Sequence, residues 1–234
     1  EEAGRYRLKT VVFSFCILPS NIVKNKNVYG MQFHPEKSSN TGLRLLKNFL
    51  KEEELEKLDA YKSEVAKINF AVSRSILNKV FETILDVPIA NIVVLREKYH
   101  KPYIKNKSGI KFNISHTDGL VLVGFSKKEL GVDIEKMKDD FEFGDILEDC
   151  FTSGEIKNIG FDTSMFYKYW TAKEAYLKYE GYGLIRDPKE IEVIHMDDQM
   201  IKIEDKVKRI NIDLRVLNLF SDKYFGAICI QEEV

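Results

Sequence analysis

The chain has 234 residues, 44% of them hydrophobic, enough for a packed core in one large or two small domains, which excludes a disordered polypeptide. Lys and Arg number 36 against 37 Asp and Glu, so the net charge of −1 gives no overall field for nucleic acid or an anionic membrane, and any anion site must be local. Three widely spaced cysteines, Cys16, Cys150 and Cys229, with no CxxC pair, argue against a disulfide framework or a zinc site and suit a reducing cytoplasm.

Residues 8–18, LKTVVFSFCIL, are β-branched and aromatic and stop at Pro19, which predicts a strand and a turn. The apolar stretch is far short of the roughly 20 residues that cross a bilayer. Arg5, Arg7 and Lys9 precede it as in a secretory leader, but no small-residue cleavage pattern follows Pro19, so a buried strand is the expectation. Leu43, Leu46, Leu50, Leu55 and Leu58 predict one amphipathic helix over about 42–60. Val65, Ile68, Val72, Ile76 and Val80 predict a second over about 62–85. After Pro88 come strand patterns, NIVVLRE, IKFNIS at 110–115, LVLVGFS at 120–126 and LGVDIEK at 130–136, separated by turn signals. Residues 142–160 are mixed, a helix over about 163–180 ends at Gly181, and IEVIHM, QMIKIE, IDLRVLNLF and YFGAICI read as strands. This order predicts an α+β chain of two comparable halves.

Asp133 and Glu135 in GVDIEK are two apart on a predicted strand and share a face. Alone, the pair fits a solvated face with lysine partners, or a hard divalent cation between the carboxylates. In YWTAKEAYLK, Trp170, Glu174 and Lys178 are spaced by four along one stripe, with Lys173 on the adjoining flank. Glu174 with Lys178 fits an ordinary helix pair as well as a metal-ligating acid between two phosphate-binding cations.

FNISHTDG at 112–119, GVDIEK at 131–136 and WTAKEAYLKYEGYGL at 170–184, in that order, resemble the Sfp-type 4′-phosphopantetheinyl transferases from about residue 50 onward. The resemblance implies a pseudo-two-fold pair of similar subdomains, 50–128 and 129–234, after a first strand and helix start in 1–49. It implies Mg²⁺, with Mn²⁺ also suited, on Asp133, Glu135 and Glu174, bridging to the coenzyme A pyrophosphate. By the same likeness Lys173 and Lys178 lie near the phosphates, Ser115 and His116 contact them, and Lys67 or Arg74 serves the 3′-phosphate. Tyr99, His100, Lys101 and Pro102 fall on the family's Y-G-K-P stretch, with His100 in place of glycine. Phe151, Thr152, Ser153 and Glu155 resemble its F-[ST]-x-x-E stretch. The implied reaction moves phosphopantetheine from coenzyme A to a serine of an acyl or peptidyl carrier protein, releasing 3′,5′-ADP, with Glu174 as proton acceptor and Lys178 beside it. A cytoplasmic monomer with no nucleic-acid or membrane partner is expected.

NVYGMQFHPEKSSNTGLRLLKNFL at 27–50 resembles a different family, the C-terminal end of class I glutamine amidotransferases, in which His34 and Glu36 would belong to a Cys-His-Glu triad. The upstream thiol, Cys16 in FSFCIL, lacks the flanking glycines of a nucleophile elbow. A glutamine amidotransferase fragment and a non-catalytic carrier-protein binding module are therefore the competing classes.

Overall fold

The computed structural model describes residues 11–16, 23–25, 28–30, 43–44, 46–105, 108–217, 219 and 222–230. In chain order the elements are β1 (Val11–Cys16), β2 (Val23–Asn25), β3 (Val28–Gly30), α1 (Glu52–Ala60), α2 (Glu64–Leu85), β4 (Val94–Arg96), β5 (Pro102–Ile104), β6 (Lys111–Thr117), β7 (Leu120–Ser126) and β8 (Leu130–Lys136). There follow α3 (Gly144–Cys150), α4 (Ser153–Ile159), α5 (Thr163–Glu180), β9 (Ile191–Met196), β10 (Met200–Asp205), β11 (Ile210–Val216) and β12 (Tyr224–Ile230). One five-stranded sheet runs β2-β3-β1-β7-β6, a second runs β8-β12-β11-β10-β9, and β4 and β5 form a separate hairpin. The chain is thus α+β. No helix among the described residues is long and apolar enough to cross a membrane.

Each large sheet is covered by the long helix whose apolar stripe the sequence shows. Val72, Ile76, Leu77 and Phe81 of α2 pack on Phe112 of β6 and on Val121, Val123 and Phe125 of β7. The other face of β7 carries Leu120 and Leu122, which meet Val132 and Ile134 of β8 and Ile228 of β12. All seven residues of β7 are buried, because one face serves the helix and the other serves the second sheet. Tyr176, Leu177 and Ala172 of α5 form the second core with Ile201, Ile203 and Leu214. Trp170 packs there too, against Phe151 and Phe166, within the second core and not between the sheets.

The single helix expected over 42–60 is interrupted. Leu43, Arg44, Leu46 and Lys47 are helical, but the Phe49 and Leu50 amides donate to carbonyls three residues back, at 2.9 and 3.1 Å. Lys51 is then extended (φ −82°, ψ 164°) and starts α1, its N–H donating to Glu54 Oε2 at 3.1 Å. On either side of the break, Leu50 and Leu58 enter one small core with Ala71.

β6 and β8 are edge strands of the two sheets and lie side by side, joined by side chains. Asn113 Oδ1, Ser115 Oγ and Thr117 Oγ1, alternate residues on one face of β6, accept from the N–H groups of Val132, Ile134 and Lys136 at 2.9, 3.3 and 3.1 Å. The outward amides of β8 are thereby satisfied without a main-chain ladder. This polar seam fixes β6 against β8 and supports the site.

Candidate active site at the seam

Gly131 brings the third element to the seam. A Cβ there would lie 2.1 Å from the Ala175 carbonyl oxygen and 2.2 Å from the Tyr179 nitrogen, so α5 crosses β8 at backbone contact. That approach sets Glu174 and Lys178 of α5 beside Asp133, two residues farther along β8. Lys178 Nζ donates to Asp133 Oδ1 at 2.6 Å and to Ser115 Oγ at 3.0 Å, and Ser115 Oγ donates to the same Asp133 oxygen at 2.7 Å. Thr117 Oγ1 donates to Glu135 Oε2 at 3.3 Å.

The carboxylates act on one another. Burial, then the charge of Asp133, with a smaller push from Glu174, raises the Glu135 pKa to about 7 against the opposing pull of Lys178. Glu174 is also raised, by burial first and then by Asp133, with Lys178 acting the other way. Packing around the ring and then the Lys178 ammonium lower the pKa of His116, whose side chain keeps an exposed face.

Asp133 Oδ2 and Glu174 Oε1 are buried with no hydrogen-bond partner. Buried carboxylate oxygens are ordinarily paired, so these two mark a cluster with more negative charge than its one ammonium compensates. Among the described residues no three His, Cys, Asp or Glu side chains already stand at metal-holding spacing. The chemistry of Asp133, Glu135 and Glu174 nonetheless fits a hard divalent cation, since all donors are carboxylate oxygens and two lack partners.

The remaining candidates lie elsewhere or are already engaged. Lys173 is enclosed in the second core: its ammonium pairs with Glu155 at 2.7 Å, donates to the Cys150 and Pro188 carbonyls at 3.0 Å each, and sits 4.9 Å from the Phe151 ring centre. The expected place of Lys173 beside the phosphates is therefore not observed; its neighbour Glu174 points to the seam while Lys173, one helical step around, points away. Phe151, Thr152 and Glu155 belong to that same enclosure, with Thr152 capping α4 and bonded reciprocally to Glu155. Arg74 is ion-paired to the buried Glu54 at 3.0 Å between α2 and α1, and Lys67 pairs with Glu64 at 3.0 Å. Lys101 donates to the Tyr179 carbonyl at 2.8 Å and the Leu130 carbonyl at 3.3 Å, tying the β4–β5 hairpin to β8 and α5. Pro102, half-buried, opens β5 next to it. His100 takes the left-handed conformation (φ 69°), so the turn keeps a backbone path suited to the family's glycine. Tyr99 packs against Tyr182, ring centres 4.9 Å apart. Ser115 is buried, its oxygen committed to Asp133, Lys178 and Ile134, which makes it a support for the carboxylate.

The seam residues Asn113 and Thr117 went unread in the sequence, although the polar alternation N-x-S-x-T inside an apolar strand was visible there. Tyr167, whose phenol pKa is raised by burial and then by the Glu135 charge, and Asn69, whose amide reaches the Thr117 carbonyl at 3.5 Å, carried no local signal. His34 and Glu36 lie outside the described residues; Cys16 ends β1, paired in register with Leu120 of β7.

Two family models adjoin along the chain: the 4′-phosphopantetheinyl transferase superfamily matches residues 129–229, and the 4′-phosphopantetheinyl transferase N-terminal domain matches residues 35–127. The chain belongs to the 4′-phosphopantetheinyl transferase superfamily. It is 31% identical over 132 residues to a 4′-phosphopantetheinyl transferase, gsp, of Aneurinibacillus migulanus, covering 54% of this chain and 51% of that protein. A Bacillus subtilis 4′-phosphopantetheinyl transferase is 33% identical over 113 residues, 46% of this chain and 50% of its own. The L-aminoadipate-semialdehyde dehydrogenase-phosphopantetheinyl transferase of Candida glabrata is 35% identical over 109 residues, 41% and 42% of the two chains. These matches span about half the length of the relatives. Separately, the chain is 49% identical over 47 residues to the imidazole glycerol phosphate synthase subunit HisH of Buchnera aphidicola, covering 20% of this chain and 23% of that protein.

Proposed function

We propose that the chain transfers 4′-phosphopantetheine from coenzyme A to a serine of an acyl or peptidyl carrier protein, with release of 3′,5′-ADP. The observation that carries this reading is the convergence of Asp133, Glu135, Glu174 and Lys178 at one seam, with two buried carboxylate oxygens left unpaired. Asp133, Glu135 and Glu174 would hold Mg²⁺ or Mn²⁺, which when bound supplies positive charge against a pyrophosphate. The carrier's serine oxygen forms a bond to the phosphorus bearing the pantetheine, and the bridging P–O bond to the ADP phosphate breaks. The serine proton passes to the Glu174 carboxylate, directly or through a water. Lys178 lies beside the acids and supplies a positive charge within reach of the phosphates. Ser115 and Thr117 orient Asp133 and Glu135.

The halves 50–128 and 129–234 form in this reading a pseudo-two-fold pair, supported by the matching construction of α2 on one sheet and α5 on the other, with 1–49 contributing β1–β3 to the sheet of the first half. A cytoplasmic monomer without nucleic-acid or membrane partners belongs to the same proposal, supported by the near-neutral charge and by three widely spaced cysteines without a CxxC pair. Intact-mass analysis of an apo carrier protein incubated with the chain, coenzyme A and Mg²⁺ tests the proposal. A phosphopantetheine mass gain that disappears with Glu174→Gln is expected. A carrier that binds without changing mass would establish a non-catalytic binding module instead.

A further inference from the structure

Asp133 carries the direct contact with Lys178. Its side chain is 3% exposed, and Lys178 Nζ stands 2.6 Å from Oδ1 and 3.0 Å from Ser115 Oγ. A hard cation such as Mg²⁺ binds carboxylate oxygen at about 2.0–2.1 Å, so one seated on the unpaired Asp133 Oδ2 would face the ammonium held on Oδ1 of the same carboxylate across a few ångströms as a like charge. The Lys178 side chain is 26% exposed and ends a flexible stem, leaving the ammonium a route outward. Asp133 does not depend on Lys178 for its orientation, because Ser115 Oγ donates to Oδ1 at 2.7 Å while accepting from the Ile134 N–H at 3.3 Å.

We propose that Lys178 is the resident counter-ion of the three-carboxylate cluster: it holds Asp133 while no divalent cation is bound and leaves it when one enters, so ammonium and cation compete. The inference rests on the transferase reading, which makes the cluster a cation site, and adds that the chain carries its own occupant for it. The benefit is a buried Asp133 that keeps a counter-charge before its ligand arrives, beside the half-buried Glu135 and Glu174.

The test titrates Mn²⁺ alone, without coenzyme A or carrier protein, and reads free Mn²⁺ by electron paramagnetic resonance. Lys178→Met is expected to bind Mn²⁺ about tenfold more tightly than the parent chain, the size of effect a neighbouring charge has on a carboxylate equilibrium. Lys136→Met, which removes a nearby lysine bonded to Asp118 instead, should change affinity less than about twofold if direct competition is the cause. Unchanged or weaker binding by Lys178→Met, or an equal gain from Lys136→Met, overturns the inference while leaving the cation site and the transferase reading in place. No Mn²⁺ binding by any of the three proteins overturns both. A measurement on the unaltered chain guards against a variant that fails to fold: the Lys178 ammonium protons should give a protected NMR signal that is lost on saturation with Mg²⁺. A signal that persists at saturation counts against competition.

Discussion

Helix α5 has two polar flanks, and they are built differently. On one, Lys173 is enclosed by the Glu155 carboxylate and two carbonyl oxygens, and the Tyr176 hydroxyl donates at 2.7 Å to Asp205, which also receives the Arg186 guanidinium through both oxygens. On the other, Glu174 faces Asp133 and Glu135 with one ammonium among three acids and two oxygens unpaired. The first arrangement has its charges matched on site, which is the mark of a buried polar group serving the fold. The second holds charges that its own protein atoms do not balance, and surplus of that kind belongs to a ligand site. One helix thus carries a structural and a functional set of ionisable residues in adjoining sequence.

The sharpest way to break that contrast is to remove Lys173. Lys173→Met leaves Glu155 charged, 1% exposed and without its counter-ion, so a loss of about 3–5 kcal/mol in urea unfolding is expected. A cost under about 1 kcal/mol would mean that the enclosure is not structural and would reopen a ligand role for this lysine. A smaller effect is expected from Asp205. Burial alone would raise its pKa, but the Arg186 guanidinium, the Lys208 N–H and the Tyr176 hydroxyl outweigh it and hold the carboxyl at about 2, below its ordinary 3.8. A depressed acid stabilises the fold above its unfolded pKa, and that stability is lost as pH falls through the interval from 3.8 to about 2. The contribution is roughly 2 kcal/mol, so Asp205→Asn should be less stable than the parent at pH 6 and should approach it near pH 2. A difference that does not shrink across that interval would separate Asp205 from the acid response.

Much of this division was legible in the chain and part of it was not. GVDIE announced the carboxylate pair, and Gly131 within it is the residue that lets α5 touch β8, so one short motif encodes both the acids and their approach. Helix α2 followed from its apolar stripe and β1, β4 and β6–β12 from their apolar runs, because burial dominates their energetics, whereas the three-residue strands β2, β3 and β5 had no such run to announce them. The break before α1 was not legible, since Leu43–Leu58 keep apolar spacing through it. Nor was the fate of Lys173: adjacency to Glu174 in W-T-A-K-E suggests partnership, whereas neighbouring helical residues point about 100° apart. His100 shows the reverse case, where an unfavourable residue type at the glycine position hid a turn that the backbone retains.

The smallest stability change is expected on the functional flank. Glu174 is disfavoured in its charged form, chiefly by burial and then by Asp133, so its folded pKa lies above the ordinary 4.5. A raised acid costs stability once it ionises, which means the cost is absent at low pH and develops as pH rises above 4.5. Glu174→Gln keeps the shape and removes that charge. In the absence of divalent cation the variant should therefore match the parent near pH 4 and exceed it near pH 8, by on the order of 1 kcal/mol. A variant less stable than the parent at pH 8 would show Glu174 to be paired like Lys173, and the difference between the two flanks of α5 would vanish. A variant more stable yet inactive in carrier modification would place on this one carboxylate both a cost to the fold and the function that the cost serves.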